Sequence, residues 1–376
     1  MRSRVLLAFA AAGTMLAACG GGTSSAPIQP ASVPPTRQTS AMATFVVKIP
    51  PKLSTSARTA KYLTANIQGI QFSVSQANNP SAGSAFYALS AQQTYCSTPS
   101  GGGLTCTLPV VAMAGDDTFA VTTYDKPELW DANVISVGSV EKTINAQTSN
   151  TVNIVTNGVP TFFAMAVDNA FPALGTANTQ PVHLLALDAD ANVIVGPYDV
   201  PITFTSNDIS GTTQLSASSV ANSTDAAAVT VSYNGGSLTK SVMFTVRANS
   251  PLAQNWNGTV PAYLHYWPGG PGIVSSPSYL LFANTSAAPQ SITLTAAGAT
   301  TPPFVANTGS DYFADWGIID NLNEAWQGTS GCQGIVTVSG SSPTFTVTPV
   351  HTGYCYLNVS DSAFHPGVVP VVVQSM

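Results

Sequence analysis

The chain has 376 residues, only 7% of them charged, with 17 acidic against 11 basic side chains and a net charge of −6. An acidic chain lacks the basic surface that neutralises phosphates, which excludes nucleic acid as a partner. The length suffices for several hydrophobic cores, and uncharged polar residues supply most of the polar surface.

The first 18 residues read as an export signal. Arg2 and Arg4 precede VLLAFAAAGTMLAA, an apolar run too short for a comfortable transmembrane helix. Leu16-Ala17-Ala18-Cys19 closes that run. It resembles the bacterial lipobox: an aliphatic residue, two small residues that fit a peptidase cleft, then a cysteine. The resemblance implies a diacylglyceryl group on the Cys19 thiol and cleavage before it. Several acyl chains on one residue make a stable anchor, where one chain is marginal. Loss of Arg2 and Arg4 leaves nine basic residues against 17 acidic ones, a net charge near −8. Residues 19–42 are rich in Gly, Ser and Pro and show no apolar period. They are expected to form a disordered tether reaching roughly 25–30 Å as a flexible coil.

From residue 43 the apolar period is two. GIQFSVS places Ile70, Phe72 and Val74 on one face; GLTCTLPV does the same with Leu104, Cys106, Leu108 and Val110; TVNIVT aligns Val152 and Ile154. Such alternation marks half-buried strands of antiparallel sheets. Gly, Asn, Pro and Ser turns recur between them, so the expected fold is all-β, with tandem antiparallel β-sandwiches. Breaks at TNGVP and RANSP divide the chain into units of 43–158, 159–249 and 250–376.

The middle unit contains VHLLALDADANVIVGPYDVPITFTSND and TDAAAVTVSYNGGSLTKSVMFTV. It resembles the bacterial immunoglobulin-like domains of invasin- and intimin-type surface proteins. The matching features are Leu184–Leu187, Asp188-Ala189-Asp190-Ala191-Asn192, Gly196-Pro197, Ile202–Phe204 and Thr224-Asp225. Ala191 stands where that family usually has glycine. The last unit, with GCQGIVTVSGSSPTFTVTPVHTGYCYLNVSDS, resembles other bacterial immunoglobulin-like repeats. These resemblances imply a sandwich fold and say little about activity.

With Cys19 assigned to lipid, four cysteines remain, and four allow three pairings. Cys96 and Cys106 bracket the turn-rich STPSGGGLT, and Cys332 and Cys355 share the last unit. Cross-pairing would require distant units to touch, so two local bridges are expected. Asp188-x-Asp190-x-Asn192 has the oxygen spacing that begins a calcium loop, but it lacks the glycine and glutamate that complete one. A turn in which Asp and Asn bond their own backbone is the expected reading. His183, His265, His351 and His365 have no metal spacing. Ser237-Leu-Thr-Lys240 matches a serine–lysine nucleophile motif but lies in a strand context, where the lysine does not stand one turn above the serine. No catalytic residue, metal or cofactor is expected.

The aromatic residues carry the functional expectation. Trp256, Tyr263, Tyr266 and Trp267 fall in NWNGTVPAYLHYWPGGPG; Tyr312, Trp316 and Trp326 fall in DYFADWGIIDNLNEAWQG. Both segments read as insertions in the last unit. They form a candidate ligand face, because flat rings stack on sugar faces and nearby carboxylates accept hydroxyl hydrogen bonds. The competing reading is that these rings extend the core. The sequence thus points to a non-enzymatic, lipid-anchored, extracytoplasmic envelope protein. Its expected role is structural or adhesive, with a protein or glycan partner. The alternative is a carbohydrate-binding accessory lipoprotein.

Overall fold

The computed structural model describes residues 39–50, 64–77, 79–100, 102–238, 240–253, 262–309 and 331–375. The export signal, Cys19 and the tether lie outside these residues. So do Trp256, Tyr312, Trp316 and Trp326.

The first unit contains β1 (Ser40–Ile49), β2 (Gly69–Gln76), β3 (Asn79–Ala88), β4 (Cys96–Ser97), β5 (Leu104–Met113), β6 (Gly115–Tyr124), β7 (Val134–Ile144) and β8 (Asn150–Val152). The first strand begins at Ser40, inside the stretch expected to be tether. One sheet runs β4-β5-β1-β8, and the other contains β7-β6-β2-β3. Phe45 of β1 meets Phe72 of β2 at 4.4 Å and Phe119 of β6 at 5.3 Å between ring centroids. The alternating rows Ile70, Phe72, Val74 and Cys106, Leu108, Val110 are all buried between the sheets. Each such side chain stabilises the fold by about 1.5–3 kcal/mol relative to exposure.

The middle unit follows through β9 (Asn157–Gly158) and continues with β10 (Phe162–Val167), β11 (Asn178–Leu187), β12 (Pro197–Ser206), β13 (Thr213–Leu215), β14 (Ser219–Asn222), a helical turn α1 (Ser223–Ala227), β15 (Thr230–Tyr233), β16 (Val242–Ala248) and β17 (Ala262–Tyr266). Asn222 caps α1, its side chain accepting the Asp225 N–H. One sheet is β10-β11-β15-β13. The other continues the first unit's sheet: β9 lies between β7 and β12, giving nine strands with β17 and β3 at its edges and β14 on β12. Gly158 faces Ser136 on one side and Tyr198 on the other. The buried side chains of both units form one continuous cluster from Ala41 to Tyr266.

The middle unit does not end at 249. After RANSP the chain returns as β17, antiparallel to β16, with Tyr263 opposite Thr245 and Tyr266 opposite Val242. The AYLHY stretch is therefore a strand of the middle sandwich rather than an insertion in the last one.

The last unit comprises β18 (Gly272–Ser276), β19 (Leu280–Phe282), β20 (Gln290–Ala297), β21 (Val305–Asn307), β22 (Val336–Ser341), β23 (Thr344–Pro349), β24 (Gly353–Ser360) and β25 (Pro366–Val373). Its sheets are β18-β20-β23-β22 and β19-β25-β24-β21. They enclose a separate core that includes Phe282, Leu294, Val347, Leu357 and the sulfurs of Cys332 and Cys355. The chain is all-β, built from tandem antiparallel sandwiches.

Candidate binding surface

The expected ligand face does not survive at Tyr266. In β17, Ala262, Leu264 and Tyr266 point inward, and Tyr266 is 0% exposed. Its ring lies 6.3 Å from Phe244, and its hydroxyl accepts a 3.4 Å bond from the Gln180 side chain. Burial pushes its pKa up. The side chain is core because a two-residue period fixes its face. Tyr263 lies on the opposite row and is half-buried.

Trp267 is half-buried and belongs to a joint. Its N–H donates to Ala170 O at 2.7 Å, and Gly269 N–H donates to Pro172 O at 2.7 Å. The indole covers Gly270, where an added Cβ would stand 2.3 Å from the ring. Phe171 covers Gly272 in the same way, 2.2 Å from an added Cβ. WPGGPG thus clasps the loop after β10 as the chain passes into β18. Its glycines leave room for two rings.

Around this joint lie groups that sequence spacing does not connect. Asp168 Oδ1 is 2.8 Å from His183 Nε2 and accepts from Ser278 Oγ at 3.2 Å. Serine, histidine and aspartate meet here, but in the wrong order for nucleophilic catalysis. The serine and the histidine share one carboxylate oxygen, so the imidazole does not receive the serine proton. The His183 ring also lies 5.1 Å from Tyr279. His365 Nδ1 pairs with Asp361 Oδ2 at 2.8 Å. Burial pushes the Asp361 carboxyl up, but that bond, with the His365 and Thr301 N–H groups, outweighs it and holds the group down at about 2. His265 is pushed down to about 4 by burial.

Asp188 to Asn192 forms a turn. Asp188 Oδ1 accepts N–H bonds from Asp190 at 2.9 Å and Asn192 at 2.8 Å. Ala191 takes φ +60, the left-handed conformation that glycine adopts without strain. Among the described residues no cluster of three or more His, Cys, Asp or Glu side chains has a metal-binding arrangement. The turn instead sits where three units meet. The Asn192 side chain accepts from Ser375 N at 3.2 Å, and Val193 N–H donates to Gln374 at 3.1 Å. Asn66 of the first unit bonds the Ser375 hydroxyl. Asp190 is pushed up to about 7, by burial first and then by the charges of Asp188 and Asp125, against an Asn66 hydrogen bond and Lys126.

Cys96 is bonded to Cys106 and Cys332 to Cys355. Ser237 and Lys240 lie between β15 and β16, outside any helix, so they do not form a serine–lysine pair. Sequence reasoning passed over Trp130. It stands alone in the chain, away from the aromatic-rich span, yet it is 83% exposed. The available signal was its setting, PELWD, where proline and acids surround an indole.

The fold and these sites define a tandem β-sandwich protein whose first two units share a sheet and a core. No family model matches the chain, and no curated protein matches it. Among solved structures, it is similar to the D0–D1 domain of intimin, at 13% identity over 56% of this chain and 100% of that one, with a TM-score of 0.25. It is also similar to FdeC, an Escherichia coli adhesin, at 14% identity over 88% and 96% of the two chains, TM-score 0.23. A third is the Yersinia pseudotuberculosis adhesin InvE, at 16% identity over 56% and 58%, TM-score 0.19. The sandwich assignment rests on the sheets described above.

Proposed function

We propose that this chain is a lipid-anchored, extracytoplasmic envelope protein with a structural or adhesive, non-enzymatic role, presenting a binding surface away from the membrane. The observation that supports the reading is the two-residue strand β9, which runs one sheet and one core through two sandwiches. A body fixed in this way holds its loops at set positions, as a spacer or adhesin requires. The Leu16-Ala17-Ala18-Cys19 sequence supports the anchor. The folds of such domains host many functions, so the role is argued from the body and the anchor together.

The test is fatty-acid labelling with fractionation and protease treatment of intact cells. The wild-type chain is expected to take up label and remain with the membrane. Cys19→Ser is expected to lose the label and either stay unprocessed or appear in the soluble fraction. Equal labelling of the two forms would overturn the anchor, and a cytoplasmic wild-type chain would overturn the whole reading.

A further inference from the structure

The loop joining β6 to β7 reads DKPELWDAN. Its two ends are tied together. Asp125 is nearly buried, and its Oδ1 accepts the Asn133 N–H at 2.7 Å while its Oδ2 accepts from Asn133 Nδ2 at 2.7 Å. The backbone closes the same gap, Asp125 N–H donating to Asn133 O at 3.2 Å. Above this base Lys126 Nζ meets Asp131 Oδ2 at 2.5 Å. Pro127 fixes one backbone angle of the ascending arm. The loop is therefore built before any partner arrives, which reduces the ordering cost of binding.

What the loop displays is apolar. Leu129 is 45% exposed and Trp130 83% exposed. Trp130 Nε1–H donates to Glu128 Oε2 at 2.7 Å, so the polar edge of the indole is satisfied inside the loop. The hydrocarbon faces are left to solvent. Trp130 and the adjacent Leu129 together present a small apolar surface on a braced loop, with the flat face of the indole open to a partner.

The surrounding charge selects the partner. Glu128 and Asp131 flank the ring, and Asp125 lies near Lys126, so acids outnumber the one cation. An anionic membrane leaflet would be repelled by such a surround. A cation is attracted twice, by the negative face of the indole and by the carboxylate beside it. A guanidinium fits both, because it is planar, stacks on aromatic faces and pairs with carboxylates. We propose that the Asp125–Asn133 loop recognises an arginine-bearing segment of a partner protein, with the guanidinium stacked on Trp130 and paired with Glu128. The inference supplies the partner chemistry for the presenting surface proposed above, but it holds or fails without the lipid.

The experiment uses the whole mature chain carrying Cys19→Ser, so loss of the anchor does not enter. The indole ¹⁵N–¹H resonance of Trp130, assigned with Trp130→Phe, reports the site directly. The probes are a capped Gly-Arg-Gly peptide and its citrulline counterpart, which keeps the shape and removes the charge. The arginine peptide is expected to move the resonance saturably and the citrulline peptide to leave it in place. By calorimetry, Glu128→Gln should weaken binding about 3-fold and Trp130→Ala about 5-fold, the size of one exposed ion pair and one exposed cation–π contact. Both residues are exposed, so neither substitution threatens folding. Equal shifts with the two peptides, or none with either, would overturn the proposal. A shift produced by neutral oligosaccharides and not by the arginine peptide would also overturn it and reassign the loop to glycan.

Discussion

Successive sandwiches are joined in two different ways. Between the first and middle sandwiches the joint is backbone: β9 bonds β7 on one side and β12 on the other, and one hydrophobic cluster runs through both units. Between the middle and last sandwiches none of the described strands is shared, and the WPGGPG clasp is joined by side-chain packing. Ala164, Leu187 and Val372 form a thin buried seam with Phe162 and Tyr354, whose rings lie 4.8 Å apart. The last unit keeps its own core. Shared hydrogen bonds and a shared core couple two units into one cooperative body, whereas a seam of side chains lets two bodies unfold separately.

Calorimetry on core variants is the strongest way to break that contrast. Phe45→Ala empties the middle of the first core and should cost about 3–5 kcal/mol. The first and middle units should lose stability together in one transition, while the last unit's transition stays in place. Separate shifts for the first and middle units would show that β9 does not couple them.

The two cystines sharpen the same point at a somewhat smaller scale. They close loops with sequence separations of 10 and 23 residues. Each should contribute roughly 3 kcal/mol by restricting the unfolded chain. Replacing Cys96 and Cys106 with serine should lower the joint transition of the first two units, although the middle unit holds no cysteine. Replacing Cys332 and Cys355 should lower only the last transition. Denaturant melts of the two double variants decide it.

Gly272→Ala attacks the second joint alone. A Cβ there overlaps the Phe171 ring, and overpacking of this kind costs about 1–3 kcal/mol. Limited proteolysis should cut the variant between β17 and β18 faster than the wild type, with both cores' transitions kept. If the cut is no faster, the clasp is not what holds the joint.

A pH slope tests the three-unit junction. Asp190 has its folded pKa raised to about 7, so the folded chain holds a proton that the unfolded chain has released. Its contribution is full below about pH 4 and is lost as pH rises to about 7. His265 slopes the other way: its pKa is lowered to about 4, so stability is lost as pH falls from about 6.5 to 4. The two oppose each other in the wild type. Asp190→Asn should therefore leave a melting temperature that rises from pH 4 to pH 7 more steeply than that of the wild type. An unchanged profile would count against a proton at the three-unit junction.

Much of the fold could be read from alternation. GIQFSVS, GLTCTLPV and TVNIVT point the same side chains inward in the structure as in the pattern, because a half-buried strand exposes every second residue. The local cystines were legible from STPSGGGLT for a related reason: short turn-rich loops bring their ends together. AYLHY was not legible as a strand of the middle unit. Its pairing partner β16 lies before RANSP, a break signal, and nothing local shows that the chain turns back. Trp130 was hidden by its isolation, since clustering along the chain says nothing about exposure on a loop. The joint at Asp188–Asn192 was legible as a turn but not as a meeting point, because Asn66 and Ser375 are 309 residues apart.

β1 gives the molecule a mechanical character. It pairs antiparallel with β5 from Ser40↔Met113 to Ile49↔Leu104, and its Ala43–Phe45 stretch runs parallel to β8. Force entering at residue 39 and directed along the strand does not peel one pair at a time; it loads the whole ladder in shear. If the chain is tethered through its N-terminus, drag on the body is carried by this strand first, and the grip of β5 and β8 sets how hard the body can be pulled before it yields.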